Sequence, residues 1–518
     1  MGLVREQIIG RTLGASRQAD IYFASFTLPD FLNYLLAAGA LSIVFIPIFL
    51  EHIEAGKNQS AWQAFSAIAN FVLVAGTAGI AALMVFARPL AQLAAPGFTD
   101  PGDVDALVQL IRIILPAQLF LVIGGLLSAV LQAHDRHFLP AMAPLFYSAG
   151  IIVGGLLGAR MGAGAEGFAW GVLVGSAIGP FALPLYGCIR LRMRWYLILS
   201  PTNADLRRYL WLSFPIMIGF SIVIVDEWIV KNQASYLPEG ALSYLQYGRT
   251  LMKVPIGVFG MAAGVASYPT VSRLVAAGSV VEAYSVLSRA VRLMLLVTFA
   301  AQICLTLAGF EIAYLVWGLW SSRFSVEDAH QTGTVLAFLC LGLGGWAAQT
   351  VISRGFYALG RTWLPTLVGT AIAVCAIPVY IAFRHQWGAI GLATASATAI
   401  LVYVLLLGWL QYLRFSREAA GRGTVLDQMP GMLDAALRLS AATIVAIAGG
   451  LIVRAILLQF VPGFHLVELL TRSMLLCAIG LSIYIIVARL LGVHELKDLR
   501  ATAHRVAGAI FSSPRAPS

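Results

Sequence analysis

From residue 17 onward, hydrophobic runs of 20 or more residues alternate with short polar turns. Runs of that length suit a bilayer-crossing helix of about 20 residues, whereas a membrane barrel would show strands of about 10 residues in strict alternation. The pattern predicts helical spans near 17–50, 62–87, 105–132, 138–159, 166–189, 208–233, 241–270, 286–316, 332–358, 363–383, 388–413, 432–459 and 467–491, thirteen in all. Residues 1–14, MGLVREQIIGRTLG, are too short and too charged to cross alone, and they lack the apolar core of a cleavable signal peptide. They read as the end of a helix whose start is missing. The expected fold class is therefore an all-α polytopic membrane protein with 13–14 spans.

Composition agrees with this pattern: 59% of residues are hydrophobic, only 11% are charged, and the mean hydropathy is +0.85. A soluble domain carries about 25% charged residues, so that class is excluded. A net charge of +10 would suit a nucleic-acid partner if the charge formed one surface. Instead Lys57, Arg136, the cluster Arg190, Arg192, Arg194, Arg207 and Arg208, then Arg273, Arg361, Arg414, Arg417, Arg422, Lys497, Arg500 and Arg505 lie in or beside alternate turns. The intervening turns hold Arg88, Arg160, Arg323 and Arg384 together with acids such as Asp100, Asp103 and Asp105. This is positive-inside patterning, which puts the first set in the cytoplasm and implies no nucleic acid. The five cysteines, Cys188, Cys304, Cys340, Cys375 and Cys477, sit in apolar stretches without C-x-x-C spacing and read as small hydrophobes, not metal ligands.

Within this frame one basic turn is written twice. AHDRHFLP begins at residue 133 and ALGRTWLP at residue 358, an offset of 225, and both read Ala-x-x-Arg-x-x-Leu-Pro. GAEGFA at 164 matches GAIGLA at 388, and Leu28-Pro29 matches Val254-Pro255, offsets of 224 and 226. Small-residue patches follow those prolines, GALS at 39–42 and GVAS at 264–267. The order and near-constant offset indicate an internal duplication. Both copies of the basic turn face the cytoplasm, so the repeats run parallel. The expected organisation is an N-terminal lobe over 1–200 and a C-terminal lobe over 201–425, each of six helices. Two additional helices over 426–495 and a cytoplasmic tail at 496–518 complete it. In transporters built this way, the substrate site lies near the midplane between repeats.

Ionisable residues inside spans are costly and mark candidate sites. Here they concentrate at Asp20 and Asp30, at Asp226, Glu227 and Lys231, and at Arg249 and Lys253, with Arg5 and Arg11 in the N-terminal stub. Glu227 and Lys231 are four apart, acid first, which favours a helical ion pair, so mutual neutralisation competes with function. Asp226 lacks such a partner and points elsewhere, which makes it and Glu227 the coupling-ion candidates. Arg249 and Lys253 share a face and repel. Their complement is Asp226 or Glu227, a phosphate-bearing ligand, or water reached by snorkelling. Pro29, Pro116, Pro215 and Pro255 interrupt spans, which suits either kinked helices around a cavity or packing irregularity. The cluster His134, Asp135 and His137 is the stretch most like an enzyme motif. Its second copy keeps the arginine but no histidine or acid, so the shared feature is the turn and no catalytic residue is assigned.

The stretch GLVREQIIGRTLGASRQADIYFASFTLPDFLNYLLAAGALSIVFIPIF at 2–49 resembles the signature region of the MurJ/MviN lipid II flippase family, in the multidrug/oligosaccharidyl-lipid/polysaccharide exporter superfamily. APGF at 95–98, LQAHDRHFLPAMAP at 131–144, RTLMKVPIGVFGMAAGVASYP at 249–269 and SRGFYALGRTWLP at 353–365 resemble further family blocks in order. The resemblance implies fourteen helices, two lobes around a cationic cavity, and a C-terminal helix pair forming a groove for a lipid tail. It further implies a carrier, not an enzyme, in the bacterial inner membrane, moving an undecaprenyl-pyrophosphate-linked peptidoglycan precursor. Its partners would be that substrate, membrane lipids and a coupling cation, Na+ or H+, with no cofactor, in a monomer. By position Arg5 matches a functional family arginine and Asp20 the acid that follows it. Arg249 lies near the cavity arginine of the eighth helix, whose register Thr250 occupies, and Lys253 completes the candidate substrate set. Where the family carries a basic pair after its Leu-Pro-Asn, this chain has Asn33 and Tyr34. That loss leaves two alternatives open: an exporter of drugs, metabolites or polysaccharide lipids from the same superfamily, and a non-transporting scaffold.

Overall fold

The computed structural model describes residues 1–37, 44–218, 222–419, 428–493 and 495–496, and the side chains at 37, 215–218, 222, 259–266 and 428–430 stand outside that description. The patch at 39–42, Arg422, the lobe boundary at 425 and the tail from Lys497 onward lie outside the described residues. No strand occurs among the described residues, as the apolar pattern requires.

In chain order the helices are α1 Gly2–Leu13, α2 Arg17–Ser25, α3 Thr27–Ala37, α4 Ile46–Glu54, α5 Asn58–Val85, α6 Ala87–Ala94, α7 Pro101–Ile114 and α8 Ala117–Ala133. There follow α9 Phe138–Arg160, α10 Ala165–Ser176, α11 Leu183–Arg190, α12 Ala204–Ile218, α13 Ile222–Ala234, α14 Ala241–Pro255, α15 Met261–Ala276 and α16 Val280–Leu307. The last are α17 Gly309–Ala313, α18 Val326–Leu339, α19 Leu343–Ala358, α20 Trp363–Cys375, α21 Ile377–Glu418, α22 Gln428–Phe460 and α23 Leu466–Leu490. Among the described residues nine helical stretches are long and apolar enough to cross a membrane, and they coincide with nine of the thirteen expected spans. Of the other four, 17–50, 241–270 and 363–383 are helical but interrupted, and 208–233 is helical on either side of residues 219–221, which lie outside the described residues. A π-turn at Ile256–Gly260 separates α14 from α15, and Gly388 breaks α21 with φ 57° and ψ −129°. Three of these four spans carry most of the intramembrane charges. Interrupted backbone at membrane depth is tolerated where protein or a polar cavity satisfies it.

Left-handed backbone recurs within three residues of the offsets of the sequence landmarks. Gly14 and Gly240 have φ of 68° and 88°, Gly56 and Gly278 have 74° and 78°, Asp135 and Gly360 have 58° and 68°, and Gly164 and Gly388 have 49° and 57°. In the twice-written turn, Arg136 N–H donates to Leu131 O at 2.8 Å and Arg361 N–H donates to Phe356 O at 2.8 Å. Each is the six-to-one bond of a Schellman helix end, with the left-handed residue just before the arginine. The repeated turn is thus a helix stop whose geometry the second copy reproduces with glycine in place of aspartate.

By packing, the described chain forms two compact units. The first comprises Met1–Tyr247, Val316–Asp328 and Gly369–Leu392; the second comprises Gly248–Leu315, Ala329–Val368 and Ala393–Ser518. These boundaries follow contacts and cut the chain at other places than the repeat does. In the first unit, Gly150, Gly154 and Gly158 of α9 face Gly167, Gly171 and Gly175 of α10. A Cβ on Gly154 would lie 2.6 Å from Gly167 O, and one on Gly171 would lie 2.7 Å from Gly150 O. Where lipid supplies no hydrophobic drive between helices, such small-residue stripes allow the close backbone contact that holds them together.

In the second unit a buried ion cluster fastens α22 and α23. Fully buried Glu311 on α17 lies 2.8 Å from Arg472 Nε of α23 and 3.5 Å from Arg454 Nη2 of α22. Arg454 also donates to Leu307 O at the end of α16, and Arg472 to Val461 O just past α22, at 2.8 and 3.0 Å. Two cations, one carboxylate and two helix C-termini of roughly half a negative charge each come close to neutrality. The outer faces of this pair are apolar and open, with Ile444 68% and Met474 69% exposed, as lipid-facing positions should be.

Candidate functional site

A hollow of ≈ 140 Å³ in the first unit is lined by Arg5 and Glu6 of α1, Tyr22 of α2, Asp30 of α3, Tyr147 of α9, Glu227 and Lys231 of α13, and Gln246 of α14. A second hollow of ≈ 330 Å³ shares Asp30, Glu227 and Lys231 with it and adds Asn33, Tyr34 and Trp228. Helical spacing explains the convergence: residues 224, 227, 228 and 231 form one face of α13, and residues 30, 33 and 34 form one face of α3. Asn33 and Tyr34 therefore stand inside the cavity, at the positions where the family pattern expects a basic pair.

The cavity holds its charges in pairs. Arg5 Nη2 lies 2.6 Å from Glu6 Oε1, and Lys231 Nζ lies 3.8 Å from Asp30 Oδ2. Glu6 Oε2 is buried and accepts no hydrogen bond among the described residues. With Glu227, the lining carries two bases and three acids. Lys231 is 6% exposed, so its charge depends on close acids instead of water. Sequence reasoning left Glu6, Lys231, Tyr147 and Gln246 out of the candidate set. Lys231 carried a signal, an intramembrane base, but its spacing from Glu227 suggested neutralisation instead of a site.

The remaining expected residues fall in three places. Asp226 sits on another face of α13 from Glu227, is 1% exposed, and accepts the Tyr380 O–H hydrogen bond. Arg249 is buried in the second unit and donates from Nη2 to Ser396 Oγ at 3.2 Å. Thr250 is half-buried, whereas Lys253, four residues after Arg249, is exposed, so the two bases share a helix face but not an environment.

Asp20 is absent from the cavity lining and has a different set of contacts. It is 1% exposed on α2 and receives Gly240 N–H on Oδ2 at 2.7 Å, with Ser243 N–H and Oγ–H on Oδ1 at 2.8 and 2.6 Å. It is the N-terminal cap of α14, supplied from a distant helix. Glu239 returns the favour, accepting Arg17 N–H at the start of α2 at 2.8 Å. Two helix starts that are equivalent under the duplication thus cap each other. Asn232 Nδ2 donates to Leu93 O at 2.9 Å, and Gly97 N–H donates to Ser235 Oγ at 3.0 Å, extending this seam. At the opposite end of the same unit Arg208 lies 2.6 Å from Glu51 and His52 lies 3.1 Å from Asp205. The Arg208 guanidinium holds the Glu51 carboxyl below its ordinary range.

Comparison with known proteins follows the same lines. The family model described as lipid II flippase MurJ matches residues 9–471. A protein named probable lipid II flippase MurJ from Rhizobium tropici is 27% identical over 537 residues, covering 99% of this chain and 96% of its own. Its counterpart from Rhizobium meliloti is also 27% identical, covering 98% and 94%. The solved structure of lipid II flippase MurJ in an inward closed conformation has a TM-score of 0.74 at 20% identity, covering 94% of this chain and 95% of that one. An inward-facing multidrug resistance MATE transporter gives 0.68 at 15% identity, covering 81% and 96%. The two structures share the fold, and the family match runs from the first helix to the last: this chain belongs to the lipid II flippase MurJ family.

Proposed function

We propose that Arg5 and Lys231 are the anion-binding groups with which this lipid II flippase takes up its substrate, an undecaprenyl-pyrophosphate-linked peptidoglycan precursor, for transfer across the bacterial inner membrane by alternating access. The observation that carries this reading is that both cations line one cavity among α1, α2, α3, α9, α13 and α14, each held by an acid. A pyrophosphate offers what those acids offer, charge-assisted acceptors at short range, with more oxygens to share. Binding is then an exchange. Arg5 leaves Glu6, Lys231 leaves Asp30, and Glu6, which is buried, becomes costly once left without its cation.

That cost supplies a coupling rule. Glu6, Asp30 and Glu227 are best compensated by a cation or proton entering with the substrate, and moving one charge through the field yields about 2.3 kcal/mol per 100 mV. Asp226, held by Tyr380, is a further coupling candidate. Arg249, Thr250 and Lys253 are proposed as further substrate contacts. Asp20 is proposed as a latch at the outer end of the first unit.

Complementation in cells depleted of their own flippase tests the assignment. Arg5→Gln and Lys231→Gln are expected to abolish growth at normal protein level, and full growth with either removes that residue from the site. The acid excess favours one rival, export of a cationic drug or metabolite. Drug resistance that survives Arg5→Gln but is lost in Glu227→Gln would select it.

A further inference from the structure

Arg112 is exposed on α7 although it lies well inside a membrane span. It is seven residues beyond Asp105, so about 10 Å deeper along the helix. Its side chain reaches Met84 O at 3.5 Å, a long contact for a guanidinium in hydrocarbon. The groove around it, ≈ 560 Å³, is walled by α7 and α10, which by the positive-inside pattern both run inward from the outer face. On α10, Glu166, Trp170 and Leu173 descend at spacings of four and three, matching the descent from Asp105 to Arg112 on α7.

We infer that this groove holds an outer-leaflet phospholipid whose headgroup carries both a phosphate and a primary ammonium. The vertical order of the wall matches the order of such a molecule. Leu173 and Pro116 lie deepest, with Ile113 above them, against acyl chain; Arg112 comes next, reaching upward to the phosphate; Glu166 and Asp105 stand outermost, where the ammonium projects. Trp170 donates Nε1–H to Glu166 at 3.2 Å and is 49% exposed, the half-buried placement tryptophan takes at a membrane interface. Arg88 is bound to Asp105 at 2.7 Å, so the groove's two bases and two acids leave no net charge. A purely anionic headgroup would meet Glu166 without compensation. A quaternary ammonium has no N–H to donate to it. The primary ammonium satisfies both ends.

The experiment uses the full purified chain in detergent, exposed to equimolar phosphatidylethanolamine, phosphatidylglycerol and phosphatidylcholine of identical chains, with retained lipid read by native mass spectrometry. The wild type should retain phosphatidylethanolamine about tenfold over the other two, and Arg112→Gln should lose about that factor. Glu166→Gln should retain lipid but no longer prefer phosphatidylethanolamine to phosphatidylcholine. Equal retention of the three lipids by the wild type, or phosphatidylglycerol preferred, overturns the inference. So does undiminished phosphatidylethanolamine on Arg112→Gln. Unfolding temperatures run alongside, and if Arg112→Gln does not fold, the Glu166→Gln preference decides: an unchanged preference rejects the site.

Discussion

Replacing Asp20 by asparagine keeps the shape of the side chain and removes its charge and one of its two acceptors. In the native contact Oδ1 takes Ser243 N–H and Oγ–H, and Oδ2 takes Gly240 N–H. Asparagine can serve one of these sites; its amide nitrogen then confronts an N–H donor at the other. Losing one hydrogen bond to a charged acceptor costs ~1.5–3 kcal/mol, and losing the carboxylate from a buried helix N-terminus costs up to ~2 kcal/mol more. A combined cost of about 3 kcal/mol lowers the population of the capped state by about a hundredfold. Hydrogen–deuterium exchange on the full chain in nanodiscs reads this at the amides of residues 240–243. Their exchange should accelerate by about that factor in Asp20→Asn, while amides of α16 keep the wild-type rate. Glu239→Gln should release the start of α2 by a smaller factor, because it loses a single exposed bond. Unaltered exchange at 240–243 in Asp20→Asn would show that the capping contact does not hold the helix start, and the latch assignment would fall with it.

Restoring the missing basic pair with Asn33→Arg and Tyr34→Arg together should tighten binding of a pyrophosphate lipid by about tenfold, measured by native mass spectrometry, because both positions line the cavity. Gly171→Val should destabilise the first unit by ~1–3 kcal/mol, seen as a lowered unfolding temperature, since its Cβ would meet backbone at 2.7 Å. Gly257→Ala, with open space around the added Cβ, is the control and should leave that temperature unchanged. Glu311→Gln should cost ~3–5 kcal/mol by stranding Arg472, fully buried, without its carboxylate. Limited proteolysis between α22 and the rest of the second unit would report the release, and wild-type resistance would refute the fastening role.

The span pattern and the repeated helix stop were legible because they rest on quantities that sequence carries directly, apolar run length and the spacing of turn residues. The twice-written turn is the clearest instance. Its arginine and its left-handed neighbour are fixed by the local backbone, so the same stop recurs whether aspartate or glycine fills it. Asp20 was legible as an unusual buried acid but not as a cap, because the amides it serves lie 220 residues away and carry no mark in the sequence. Lys231 was legible as an intramembrane base but not as a partner of Asp30, for a related reason. The spacing to Glu227 names a possible partner on the same helix, and only the fold brings Asp30 within 3.8 Å. Arg249 and Lys253 show the converse, since a shared helix face says nothing about where the core ends and solvent or lipid begins.

The charge arrangement also explains how a cavity with more acids than bases can belong to a carrier of an anionic lipid. Unpaired cations in a membrane cavity would be expensive in every state that lacks substrate, and the lining has the neutral Asn33 and Tyr34 on α3. Those that remain are neutralised internally, Arg5 by an adjacent residue and Lys231 by a different helix. On the proposed site the empty carrier is thereby stabilised, and substrate displaces a carboxylate to bind. Affinity falls by the cost of that displacement, but release becomes easier by the same amount, since the acids return as the pyrophosphate leaves. If this exchange governs transport, Glu6→Gln should bind the lipid more tightly and turn it over more slowly, because Arg5 would lose the partner that competes for it. A variant that bound more tightly and also transported faster would show that Glu6 takes no part in release.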